Sequence, residues 1–285
     1  MLRKVFSCPV DENRRGDYVR CRHRGFRLTV LRQAFSEDFL EICCRESTKR
    51  KIPFTVIPSS RYALVYHFEY GGRGYFHKSF LHRNRLEPIK GFFRGTRAER
   101  AFKGHQLLRK NGLGAPQVVV VGKKGRQSFL VSEAVWTGSG LGRYFRETYV
   151  PPLSKEAIEN KRRAVQTLGH KVGRLHALGI FHGDLRWGNI MVKASTPMGV
   201  DFLFLDNERT VQYKRLPYLK RLKNLVQLNM DSSPVVTGTD RLRFFLVYLS
   251  ENPELDQEKK LLMRRIFEKT AARLARKPLQ AAAPP

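Results

Sequence analysis

The sequence predicts an α+β fold in two lobes, a small antiparallel-sheet lobe followed by a mainly helical one, and three patterns carry that expectation. Apolar residues alternate along residues 52–80, the period of half-buried strands. They recur at helical spacing over 154–179 and again from about residue 214 onward. Between those helical stretches lie two short apolar runs around a polar loop, IFHGDLRWGNIMV (180–192), which reads as a hairpin. A chain of 285 residues is long enough for one large domain or two lobes.

Taken in order, residues 1–51 mix a short apolar pattern, Phe26 to Phe35, with charge clusters and match no motif; they are expected to pack on the small lobe. From Ile52 the runs IPFTVI, RYALVYHFEY and YFHKSF predict three antiparallel strands, with Tyr62, Leu64, Tyr66, Phe68 and Tyr70 on one face. The turn Gly71-Gly72-Arg73-Gly74 directly precedes the third run and reads as a hairpin turn. A helix is expected from Thr96 to about Lys110, stopped by Asn111-Gly112, and then a further hairpin over 117–121 and 128–135. After Pro151-Pro152, Ser154 opens a long helix that ends at Gly179, with Glu156 and Glu159 near its start. Ile158, Val165, Leu168, Val172, Leu175 and Leu178 mark its buried stripe, and a strand over 200–205 follows the hairpin. The lobes therefore divide as 52–138 and 139–278, followed by a disordered tail over 279–285.

Lys and Arg number 54 against 25 Asp and Glu, a formal charge of +29. Such a field draws anionic partners: nucleic acid, an acidic membrane surface or phosphorylated substrates. No RNA-binding motif accompanies the charge, so a nucleic-acid partner is not expected. Cys8, Cys21, Cys43 and Cys44 show no CxxC spacing and read as free thiols of a reducing compartment. The N-terminal residues lack the apolar core of a secretory signal, and no run approaches the roughly 18 apolar residues of a membrane span. A cytoplasmic protein is expected, with a peripheral place on an anionic membrane. Leu216, Leu219, Leu222 and Leu225, flanked by Lys214, Arg215, Lys220, Arg221 and Lys223, suit either a lipid-facing helix or a core helix with a solvated basic face.

Asp184, Arg186 and Asn189 have the spacing of the protein kinase catalytic loop, in which an Asp orients the acceptor hydroxyl and an Asn five residues later holds magnesium. The apolar run Phe202 to Leu205 then ends on Asp206, a second oxygen ligand of the kind magnesium prefers. Each acid alone is a common turn residue. Together, in this order, they point to a phosphotransferase site, with His182 as a packed loop anchor. Lys78 shares a strand face with Phe76 and Phe80, so its ammonium needs an anion, which ATP phosphates would supply; snorkelling from an edge strand is the alternative. Glu99 has two readings, a helix partner for Lys78 and the third position of a capping box begun by Thr96. The loop Pro58-Ser59-Ser60-Arg61 would face phosphate, with Ser59 and Ser60 offering hydroxyls and N–H groups.

These residues resemble the lipopolysaccharide core kinases, the bacterial Kdo and heptose kinase family of the protein kinase-like superfamily. The resemblance runs from about Ile52 to Arg276 and rests on YFHKSF, RAERAFKGHQLLRKNGLGAPQVVVVG, FLVSEAV, HGDLRWGNIMV, FLFLDNERT and TDRLRFFLVYL. It implies a protein kinase-like two-lobe fold that uses ATP and Mg2+ to phosphorylate a sugar hydroxyl of the lipopolysaccharide inner core at the cytoplasmic face of the inner membrane. By the resemblance, Lys78 is the ATP-phosphate lysine, Asp184 the catalytic Asp, Arg186 the cation steadying the phosphoryl group, and Asn189 and Asp206 the magnesium ligands. The chain departs from the family pattern at Ala101, where Glu is frequent, and at Asn207-Glu208, which replaces the Phe-Gly of protein kinases; Glu208 is a candidate helper at the metal. The competing expectations are an aminoglycoside-type small-molecule phosphotransferase and an inactive kinase-like scaffold.

Overall fold

The computed structural model describes residues 17–44, 54–59, 61–81, 95–135, 139–196, 199–231 and 233–276, and their side chains except at 194–196. The chain divides into two compact units, one of residues 1–107 with 116–136 and one of residues 108–115 with 137–285.

The first unit is built on β1 (Tyr18–His23), β2 (Phe26–Leu31), α1 (Glu37–Cys44), β3 (Thr55–Ile57), β4 (Ala63–Tyr70), β5 (Arg73–Phe80), β6 (Val118–Lys124) and β7 (Gln127–Glu133), with α2 (Arg97–Lys110) starting in it. The strands form one antiparallel sheet in the order β1-β2-β6-β7-β5-β4-β3. Residues 18–44, which match no motif and were expected only to pack on the small lobe, extend the sheet by two strands. They also fill its core: alternation in β1 and β2 buries Val19, Cys21, Phe26, Leu28 and Val30, and α1 sets the Phe39 ring 4.9 Å from Tyr75. Cys21, Cys43 and Cys44 are buried thiols in this cluster, none of them in a disulfide. Gly71 and Gly72 both hold positive φ, 57° and 72°, which a two-residue turn between β4 and β5 requires.

The second unit contains β8 (Ser139–Gly140), α3 (Leu141–Thr148), α4 (Lys155–Ala177), β9 (Ile180–Phe181), β10 (Ile190–Thr196), β11 (Gly199–Phe204), β12 (Val211–Gln212), α5 (Tyr218–Asn229), α6 (Gly238–Ser250) and α7 (Lys259–Ala275). The Ser154 hydroxyl caps α4 by accepting from the Ala157 N–H at 3.1 Å. Along α4 the backbones come close: a Cβ on Gly173 would lie 2.7 Å from Glu251 Cβ, just past the end of α6. The apolar runs around the polar loop do not pair with each other as a hairpin. β9 pairs with β12, whereas β10 pairs with β11 and β8. Residues 182–189 therefore link two separate small sheets.

The basic helix α5 is a core element. Leu216, Leu222 and Leu225 are buried while Leu219 is 73% exposed, and Arg221 itself is buried. Three of the four stripe leucines are thus spent inside the unit, which is the core-helix reading of that stripe, and Leu219 alone of the four stays at the surface. Among the described residues no helix is long and apolar enough to cross a membrane.

Replacing Phe39 with Ala should lower the stability of the first unit by about 3 kcal/mol or more, because the ring is fully enclosed by aromatic neighbours. Urea unfolding of the full chain measures it. A change near zero would mean that 18–44 is only attached to the sheet.

Candidate active site

The loop 182–189 is held by what lies under it. Leu185 is fully buried, and the buried Trp187 donates its indole N–H to the Leu228 carbonyl at 2.8 Å. Gly183 has φ +84°, and a Cβ there would meet Arg209 Cβ at 2.5 Å, so both the turn and the close approach demand glycine. With the loop pinned, Asp184 sits half-buried. Its Oδ1 accepts from Arg186 Nε at 2.8 Å and Gln227 Nε2 at 3.2 Å, and its Oδ2 accepts from Asn189 Nδ2 at 3.1 Å. The same Asn189 nitrogen donates to the Asp184 carbonyl at 2.9 Å. Three of the residues singled out in the sequence are thus drawn into one cluster.

Asn189 spends its nitrogen on Asp184, which leaves its Oδ1 as the end that can meet a cation. Asp206, two residues past the end of β11 and half-buried, takes a left-handed conformation with φ 54° and ψ 51°, at a cost of about 1–2 kcal/mol for a residue with a Cβ. The following Asn207 is fully buried and donates Nδ2 to the Phe204 carbonyl at 2.9 Å, which fixes the bend after the strand. Glu208 is also buried. Among the described residues no three or more His, Cys, Asp and Glu side chains gather in a way that could hold a metal. An amide oxygen and a carboxylate still fit magnesium, which keeps waters and takes substrate phosphate oxygens rather than an all-protein cage.

His182 is fully buried, its Nδ1 accepts from the Asp184 N–H at 3.4 Å, and its own N–H donates to Asn224 Oδ1 at 3.2 Å. Burial lowers its pKa to about 4, against the opposing pull of Asp206 and Asp184, so the ring is neutral near pH 7. It anchors the loop, as the sequence suggests.

Lys78, Ser59 and Glu99 belong to the first unit. Lys78 on β5 stands between Val65 and Leu130 in register, half-buried, with its ammonium 5.3 Å from the centre of the Phe80 ring. Ser59 donates its hydroxyl to the Ala63 carbonyl at 2.6 Å, closing the loop onto β4, and Ser60 lies outside the described residues. Glu99 is not the partner of Lys78. Its Oε1 pairs with Lys123, while its Oε2 accepts from the Thr96 N–H at 2.8 Å and the Thr96 hydroxyl at 3.1 Å. Glu99 N–H in turn donates to Thr96 Oγ1 at 3.2 Å, completing a capping box. Burial works against its charge, yet Lys123 and Thr96 prevail and hold its carboxyl below the usual range.

Sequence reasoning missed Gln227 and Asn224. Gln227 donates to Asp184, and its Oε1 accepts from the Leu185 N–H at 3.2 Å. The signal was present as uncharged amides three residues apart within an otherwise leucine-rich and basic helix.

A mixed fold with an antiparallel sheet unit and a helical unit, carrying Asp, Arg and Asn on a loop between buried strands and an Asp at the next strand end, defines a kinase-like protein. Among solved structures the chain is similar to one described as WaaP in complex with acyl carrier protein, with a TM-score of 0.60 and 22% identity over 78% of this chain and 89% of that one. That likeness concerns the fold. No curated protein sequence matches the chain. Residues 57–248 match the model of the lipopolysaccharide kinase (Kdo/WaaP) family, and the chain belongs to that family; it is a kinase by that membership.

Substituting Ala for Glu99 should cost about 1 kcal/mol through the lost cap and leave the KM for ATP within about twofold. Thermal unfolding and steady-state kinetics check the two halves. A KM raised tenfold with unchanged stability would restore the pairing with Lys78.

Proposed function

We propose that this chain transfers the γ-phosphoryl group of ATP to a sugar hydroxyl of the lipopolysaccharide inner core, on Kdo or heptose, at the cytoplasmic face of the inner membrane. The observation that carries the reading is the Asp184 carboxylate, held by three side-chain donors in a member of the lipopolysaccharide kinase family. A carboxylate fixed in this way can orient the acceptor hydroxyl and take its proton as the oxygen attacks, without losing rotational freedom at that moment.

Arg186, two-thirds exposed on its side chain and bonded to Asp184 Oδ1, supplies a cation beside the position where the transferring group gathers negative charge. Lys78 serves the α and β phosphates, with Ser59 on the loop before β4 as a further phosphate-side group. Asn189 through Oδ1 and Asp206 through its carboxylate would hold magnesium. When bound, the ion would supply neutralisation of phosphate charge. The chain's net charge of +29 supports an anionic acceptor and an anionic surface near the site of work.

Asp184→Asn preserves shape and removes the base. Phosphoryl transfer from γ-labelled ATP to dephosphorylated core should fall by about 10²–10⁴-fold while ATP affinity stays within about twofold. Transfer at the wild-type rate by the variant would overturn the role given to Asp184.

A further inference from the structure

α5 buries three polar residues at successive third positions, Arg221, Asn224 and Gln227, in the same helix whose leucines form the core. A polar group without a partner in such a place is costly, so the row must be satisfied by its surroundings. Arg221 Nη1 donates to Tyr248 Oη and to Asn252 Oδ1, both at 2.6 Å, and Nη2 meets Glu254 Oε1 at 2.9 Å. Tyr248 Oη lies 3.0 Å from His176 Nδ1, and His176 Nε2 lies 3.3 Å from Asn224 Oδ1. Asn224 Nδ2 donates to Gln227 Oε1 at 3.1 Å, and Gln227 Nε2 donates to Asp184 Oδ1 at 3.2 Å.

Backbone groups settle which way every link points. The His182 N–H faces Asn224 Oδ1 and the Leu185 N–H faces Gln227 Oε1, and since an N–H only donates, both amides must turn their oxygen to the loop and their nitrogen onward. With Asn224 Oδ1 restricted to accepting, His176 carries its proton on Nε2, its Nδ1 accepts, and the Tyr248 hydroxyl donates. Each hydrogen bond of the chain therefore points from the permanent charge of Arg221 toward the carboxylate of Asp184. Burial lowers the His176 pKa to about 3, with Arg221 pushing the same way, so the middle of the chain stays neutral.

We propose that Gln227 is a positioning residue for Asp184, the last link of a one-way chain of donors that begins at the buried Arg221 and fixes one carboxylate oxygen from below. This rests on the kinase reading of the site. The chain places the sense of Asp184 under the control of α4, α5, α6 and the segment after α6, none of which contributes a residue to the catalytic loop itself.

Two substitutions separate positioning from simple support. Gln227→Glu keeps acceptors for the Leu185 N–H and for Asn224 Nδ2 but sets a carboxylate oxygen against Asp184 Oδ1; Gln227→Met loses those acceptors and brings no charge. If Gln227 only held the fold, Glu would be the milder change in both stability and kcat. The positioning role predicts the opposite order in kcat. Met should lose about tenfold, Glu more than Met, and both should keep the KM for ATP within about twofold. A readout without turnover stands beside this: in the wild-type chain the Gln227 side-chain NH₂ resonance should move when Asp184 is replaced by Asn. Glu equal to or better than Met in kcat, or an amide resonance unmoved by Asp184→Asn, overturns the proposal. Should the wild-type chain transfer no phosphate to sugar, the activity reading fails by itself, and the amide resonance alone upholds or overturns the positioning of Asp184.

Discussion

The second unit depends on one requirement: a loop that presents a carboxylate at its surface must have its own buried N–H groups satisfied from beneath. α5 meets it with two amides, Asn224 under His182 and Gln227 under Leu185, and with the Leu228 carbonyl under Trp187. The helix has to be apolar enough to form a core through Leu222 and Leu225 and polar enough to hold a loop. The flanking sheets serve the same end. β9 is tied to β12 and β10 to β11, so the two ends of the loop are anchored to different partners and its path between them is taut. Asn189 N–H donates to the Arg186 carbonyl at 2.8 Å and Leu205 N–H to the Asn189 carbonyl at 2.8 Å, which joins the loop to the strand that delivers Asp206.

What could be read from residues alone was whatever is local. The hairpin turn after Tyr70, the cap at Ser154, most of the stripe along α4 and the grouping of Asp184, Arg186 and Asn189 are all set by neighbours within a few positions; the turn itself is shorter than expected, since Arg73 and Gly74 already belong to β5, and Ile158 of the stripe is exposed. The loop's flanking runs failed as a hairpin because strand partners are chosen by the whole unit, and Val211 and Phe202 compete better for them than the runs do for each other. Residues 18–44 escaped assignment because β1 exposes an arginine at every second position, so its alternation reads as charge. Only the register against β2 and β6 shows Val19 and Cys21 to be core. The polar row of α5 escapes for the same reason: Arg221 counts with a solvated basic face, and Asn224 and Gln227 are passed over. Its partners His176, Tyr248 and Asn252 come from distant segments.

Glu99 shows how a local rule can settle an ambiguity. A glutamate three residues after a threonine at a helix start already has two donors within reach, and Lys123 on β6 completes the set. Lys78, on β5, has its ammonium over the Phe80 ring and is not the residue that Glu99 binds. Asp206 carries strain of the opposite kind. A carboxylate in the left-handed region is held there by the buried Asn207 turn behind it, which gives the strand end a fixed direction and no slack.

The phosphoryl transfer proposed at Asp184 would show most directly in its product. The wild-type chain would be incubated with ATP, magnesium and dephosphorylated lipopolysaccharide core, and the sugar fraction followed by phosphorus NMR. A new sugar phosphomonoester signal growing as ATP is consumed is the predicted result. ATP consumed into free inorganic phosphate alone, or bound and left unchanged beside the acceptor, would contradict it.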